Sequence, residues 1–237
     1  MPQKAKTDWL QPGKTPVSSP QTIVPGPVAT GWIGGLWRRL EASLRPAPIA
    51  TTDALRIFLE ERAALIAQKC AIDYCRGKTG LASYALFTEK PFLDALEVCR
   101  WETYAAVLGD LFIVAEGLLR SHVAAEQRPR LNEALTALYS GVLAALPPLA
   151  HRAHGWEDAT AGFAERFKTA SLGEPRNALD VADHSAKRLF DTLPIHSSYR
   201  ELDEEVVYGA VRFRMIAVSQ EMQRRLTTAV LVRQLLA

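Results

Sequence analysis

Cysteine is scarce in this sequence. The three residues, Cys70, Cys75 and Cys99, are an odd number with no CxxC pair, so no disulfide framework is expected and a reducing compartment fits. Long apolar runs are missing too. The longest apolar stretch, Tyr104–Leu119, is too short to span a bilayer and contains Asp110 and Glu116. No uninterrupted apolar segment follows the N-terminal basic residues, so no secretory signal is expected. A net charge of only +2 excludes a polycation that binds nucleic acid through its overall field. There is no convincing alternating strand, no internal repeat near 34 residues and no strand-flanked Gly-x-Ser-x-Gly elbow. Arginine outnumbers lysine 20 to 8 and alanine is abundant, a composition that a GC-rich bacterial genome would give. A cytoplasmic protein is expected, with peripheral membrane contact as its variant.

What is present is a helical body behind a distinct arm. Of 237 residues, 48% are hydrophobic, enough for one sizeable core. Eight of 14 prolines precede residue 50. Residues 1–30 are rich in Pro, Gly, Ser and Thr without apolar periodicity, the composition of a disordered leader. Residues 31–48 hold a short amphipathic segment and a Pro-Ala-Pro linker. Trp32, Leu36, Leu40 and Leu44 recur every four residues, flanked by Ile33 and Trp37, with Arg38 and Arg39 on the polar side. Such a basic, Trp-bearing face suits docking into a partner's groove or onto a membrane surface. It equally suits the first helix of the chain's own bundle.

Residues 49–237 read as a single all-α bundle of about six or seven helices. Thr51, Thr52 and Asp53 can start a helix whose stripe Leu55, Leu59, Ala63, Ile66, Cys70 carries it to about Arg76, with Gly77 and Gly80 as its stop. Lys69 and Asp73 are spaced to pair on its outer face. A long helix is expected over about 91–121, apolar nearly all round from Tyr104, which marks a central helix. Further helices are expected near 130–146, 156–171 and 175–192, the last with Pro175 in its first turn. Ser198 and Glu201 fit a capping box opening a long C-terminal helix with the stripe Val207, Val211, Met215, Val218, Met222, Leu226, Val230.

Few residues suggest chemistry. Arg76–Gly77–Lys78–Thr79 ends like a phosphate-binding loop, but Ile72 stands where the loop needs glycine and a helix precedes it, so a helix end is expected. His151, His154 and Glu157, three apart, would share a face of a continuous helix and hold a divalent metal; Gly155 and the upstream Pro147 and Pro148 oppose that helix. Asp110 and Glu116 lie in the most apolar helix but about 240° apart around it, so ion pairs with a buried arginine, Arg100 or Arg212, are expected rather than a carboxylate dyad. A ligand pocket, if the bundle has one, is expected near Tyr104 and Asp110. No motif implies a cofactor, and no convergent catalytic set is legible.

The expected function is therefore a non-enzymatic interaction protein, an adaptor, assembly factor or regulator, docking through its arm on a protein partner. The alternatives are a helical enzyme or small-ligand binder with a pocket at Tyr104 and Asp110, and a DNA-binding regulator. For the last, nucleic acid is the weakest expectation, because Arg212, Arg214, Arg224 and Arg225 share the C-terminal segment with Glu201, Asp203, Glu204, Glu205 and Glu221. The exposed side of that segment also leaves a homodimer open.

Overall fold

The Thr51 hydroxyl accepts the backbone N–H of Ala54 at 3.1 Å and opens the first helix, α1, Thr52–Thr79. The computed structural model describes residues 47–237. The expected leader, and the amphipathic segment carrying Trp32, Ile33, Leu36, Trp37, Arg38, Arg39, Leu40 and Leu44, lie outside the described residues. After α1 come a short turn region, then α2 (Lys90–Arg120), α3 (Arg128–Ala144), α4 (Glu157–Leu172), α5 (Ala178–Thr192), α6 (Glu204–Arg225) and α7 (Thr228–Leu235). These are the seven helices of eight residues or more among the described residues, and no strand accompanies them. None is long and apolar enough to cross a membrane.

The centre of the bundle is α2. Every residue from Trp101 to Glu116 is buried, because α1, α3, α4, α5 and α6 all pack on it. A helix apolar on all sides has no stable place except inside a ring of others. The stripes of the outer helices point inward as their spacing requires: Leu55, Leu59, Ala63, Ile66 and Cys70 on α1, and Val207, Val211, Met215, Val218 and Met222 on α6, are all buried. The three cysteines are free and buried. Burial pushes the thiols of Cys70 and Cys99 up to about 11 and that of Cys75 to about 12. They are packing residues, held as thiols.

Four local expectations need correction. Helix α1 does not stop at Gly77 but continues to Thr79, and Gly80 closes it by donating its N–H to the Arg76 carbonyl. Lys69 does not take Asp73, which pairs across to Arg214 of α6 at 2.9 Å. Pro175 lies outside α5, whose N-cap is Asn177: its side-chain oxygen accepts from Leu179 N at 2.9 Å and Asp180 N at 3.0 Å. The C-terminal helix is not continuous. Ser198 belongs to the four-residue turn Ser197–Arg200, capped by His196, and α6 begins only at Glu204. Asp203, just before it, is held from α1 by the Tyr74 hydroxyl (2.8 Å) and Lys78 (2.6 Å).

The second break in that segment lies at Leu226. There Ile49 forms an isolated parallel bridge, donating to Arg225 O at 2.8 Å and accepting from Thr227 N at 2.9 Å. The Ile49 side chain is 1% exposed. The entry of the chain into the bundle thus takes over the carbonyl and amide that would have continued α6 into α7.

Close packing of α4 on α2 depends on Gly109. A Cβ there would stand 3.0 Å from Phe163 Cδ2 and 3.4 Å from Arg166 Nη2. Phe163 also stacks on Tyr139 of α3, with ring centroids 4.0 Å apart, so moving it aside disturbs that stack. Gly109→Val is therefore expected to destabilise the protein by about 2–3 kcal/mol through overpacking. Urea unfolding monitored by circular dichroism measures this, and an unchanged midpoint would contradict it.

Candidate functional site

On one side of α2, two carboxylates eight residues apart, Glu102 and Asp110, face α4, α5 and the turn between α3 and α4. Each is buried and each recruits cations from those elements. Glu102 accepts from Arg152 Nε and Nη2, both at 2.6 Å, and from Arg188 Nε at 3.1 Å and Arg188 Nη2. His151 Nε2 stands 3.3 Å from the same carboxylate without hydrogen-bond geometry. Asp110, fully buried, accepts from Arg166 Nη2 at 2.7 Å and from the backbone N–H of Ser185 at 3.1 Å, with His184 Nδ1 at 3.5 Å.

Local sequence explains the convergence. Asp158, Gly162 and Arg166 fall four apart on α4, and His184 and Arg188 fall four apart on α5, so each set lines one face. Arg152 comes from a single 3-10 turn, Ala150–Arg152. Its guanidinium lies 4.4 Å over the Trp156 ring and bonds Asp158 as well as Glu102, so its position is fixed from three directions. Gly162, with nothing within 4 Å of a would-be Cβ, keeps the wall low between Asp158 and Arg166.

These groups border a cleft of about 250 Å³ between α2, α4 and α5. Ala105 and Ala106 make its floor, Tyr139 and Phe163 an aromatic wall, and Arg152, Arg166, Arg188 and His184 its polar rim. Arg166 and His184 also border a more open groove of about 380 Å³ that reaches Asp110, Arg176 and Asp180. Burial alone would raise the Glu102 carboxyl, but the hydrogen bonds from Arg152 and Arg188 outweigh it and hold it below its ordinary value. The Asp158 carboxyl is lowered mainly by its hydrogen bond from Arg152. Arg152 is raised, chiefly by its hydrogen bond to Glu102. Tyr139 is raised by burial, and its hydroxyl donates to Ala105 O at 3.2 Å.

The donors on this rim outnumber the acceptors supplied to them. Arg166 spends Nη2 on Asp110, while its Nε and Nη1 are buried without a hydrogen-bond partner. Buried, unbonded guanidinium N–H groups are costly, about 1–3 kcal/mol each. Those two atoms are closed off from solvent, so an anion in the cleft would meet the exposed parts of Arg166 and Arg188, whose side chains are 27% and 43% exposed and whose guanidinium geometry matches carboxylate and phosphate.

The residues expected from sequence are brought together only in part. Asp110 borders the open groove rather than the cleft, and its arginine is Arg166, not Arg100 or Arg212: Arg100 donates to Gln68 at 2.8 Å, and Arg212 pairs with Asp183 at 2.7 Å. Glu116 pairs with Arg120, one turn on. Tyr104 is fully buried on the far side of α2, edge-on to Trp101 at 5.9 Å, and borders neither cavity. His151, His154 and Glu157 do not share a helix. They run from the 3-10 turn through Gly155, at φ 74°, into the first residue of α4. Among the described residues, no group of three His, Cys, Asp or Glu side chains is arranged to hold a metal. Arg76–Thr79 is the last turn of α1, as expected. Sequence reasoning missed Glu102, Arg152, Arg166, His184 and Arg188. The i,i+4 pair His184 and Arg188 was the one local signal for them.

Compared with known protein families, curated proteins and solved structures, the chain matches none.

Proposed function

We propose that this protein is a small-ligand binder whose cleft between α2, α4 and α5 holds a small carboxylate- or phosphate-bearing anion. The carrying observation is the convergence of three guanidinium groups, those of Arg152, Arg166 and Arg188, with His184 on the rim of one cleft. The cleft size suits a compact anion rather than a large cofactor. The aromatic wall of Tyr139 and Phe163 and the alanine floor would cover the ligand's apolar part.

The test is thermal unfolding of the full chain with added citrate or inorganic phosphate, at constant ionic strength. A ligand at a hundred times its dissociation constant stabilises the folded state by about 2.7 kcal/mol, so the melting temperature is expected to climb with ligand concentration. Arg188→Met is expected to fold, because the Arg188 side chain is 43% exposed and Arg152 still serves Glu102, and to lose most of the ligand-dependent rise. Equal rises in the two proteins, or none in either, would refute the reading.

A further inference from the structure

The outer face of α6 is apolar and uncovered among the described residues. Val206 is 64% exposed, Phe213 74% and Ile216 37%, and Leu202, just before the helix, is 93% exposed. At about 100° per residue, positions 206, 209, 213, 216 and 220 of α6 form one stripe opposite the buried Val211, Met215 and Met222. Scattered exposed apolar residues need no explanation, but a continuous stripe along a helix does. Gly209, in the middle of it, has nothing within 4 Å of a would-be Cβ, so the stripe carries an open notch one turn from its largest side chain.

We infer that this face pairs with a second copy of the same chain, α6 against α6, antiparallel about a two-fold axis. The stripe is self-complementary in that register. Seating Phe213 of one copy in the Gly209 notch of the other places Val206 opposite Ile216, and symmetry repeats each contact. A glycine at the crossing lets the helix axes approach to about 8 Å. Charge sets the direction: Glu201, Asp203, Glu204 and Glu205 crowd one end of the stripe, while at the other Glu221 is neutralised by Arg225 and Arg224 remains, so parallel pairing would set the acidic ends together and antiparallel pairing keeps them apart. The face is remote from the anion cleft, which α6 does not line.

The experiment is sedimentation equilibrium of the full chain up to roughly 100 µM, a range suited to a single helix pair. A species of twice the 26.1 kDa chain mass is expected. Phe213→Glu, at an exposed position, is expected to keep its helical circular dichroism and weaken association at least tenfold. The register is tested by Val206→Cys with Ile216→Cys in one chain. The two positions lie ten residues, about 15 Å, apart along α6, too far to bridge within one copy. Oxidation is therefore expected to yield a covalent dimer. A monomer across the whole range, a dimer indifferent to Phe213→Glu, or a double-cysteine variant that stays monomeric on oxidation would each overturn the inference.

Discussion

Glu116→Ala is expected to cost about 3–5 kcal/mol of folding stability, the cost of stripping one partner from a buried ion pair. Glu116 and Arg120 have side chains only 3% and 7% exposed, and they pair fork to fork, Nε to Oε1 at 2.7 Å and Nη2 to Oε2 at 2.6 Å. Arg120 does more than neutralise Glu116. Its Nη1 donates to Gly173 O and its Nη2 to Ala170 O at 3.1 Å, so it satisfies carbonyls at the C-terminal end of α4, where no backbone N–H caps them. A cation is favoured at that end by the helix dipole as well. Glu116 therefore sets the position of the side chain that ties the end of α4 to α2. Without it the guanidinium is a buried charge facing only carbonyls. For a protein of this size the loss corresponds to a melting temperature lower by about 10 °C, read by calorimetry. Glu116→Ala with Arg120→Met removes both charges and is expected to be more stable than Glu116→Ala alone, though below the parent because the α4 carbonyls lose their donor. A double variant no better than the single would show that the buried charge is not the source of the loss.

Much of this fold is legible from spacing, and the site is not, for one physical reason. The burial of α2 follows from its composition between Tyr104 and Glu116, and the inward stripes of α1 and α6 follow from a period near 3.6. A helix that is apolar all round, however, does not say which of its sides adjoins a cavity. Tyr104 lies six residues before Asp110, about 120° away around the axis, whereas Glu102 lies eight before it and only about 80° away. Only the packing of α4 and α5 decides that the Glu102 side is the open one. The cations are equally non-local: Arg152 and Arg188 stand 50 and 86 residues from Glu102, and Arg166 stands 56 from Asp110. The break at Leu226 shows the same limit. Its apolar stripe runs on unbroken in sequence, and the interruption comes from Ile49, which occupies the Arg225 carbonyl from the other end of the chain. Local preference gives way where a distant backbone group offers a competing hydrogen bond.

Glu102→Gln is expected to move stability and anion binding in opposite directions. Glutamine keeps the shape and one acceptor but removes the charge that Arg152 and Arg188 share. The cost to folding is about 2–3 kcal/mol, at the low end for a buried pair, because Arg188 is half-exposed and Arg152 keeps Asp158 and the Trp156 ring. The cleft meanwhile gains one unit of positive charge. At about 6 Å in a medium of effective dielectric about 20 that is worth roughly 3 kcal/mol toward an anion, so citrate or phosphate should bind at least tenfold more tightly. The pH profile separates the variants further. The folded Glu102 carboxyl titrates below its ordinary value of 4.5, so the stability it contributes is fully present above that pH and is lost as the pH falls through the lowered folded value. The parent should therefore weaken steeply below about pH 4.5, and Glu102→Gln, lacking that proton uptake, should show a shallower acid limb in calorimetry between pH 3 and 7. If Glu102 served structure alone, loosening the cleft would weaken both folding and binding. A variant less stable but tighter for the anion identifies the carboxylate as an internal stand-in for the ligand, occupying arginine donors that the bound anion would otherwise claim in full.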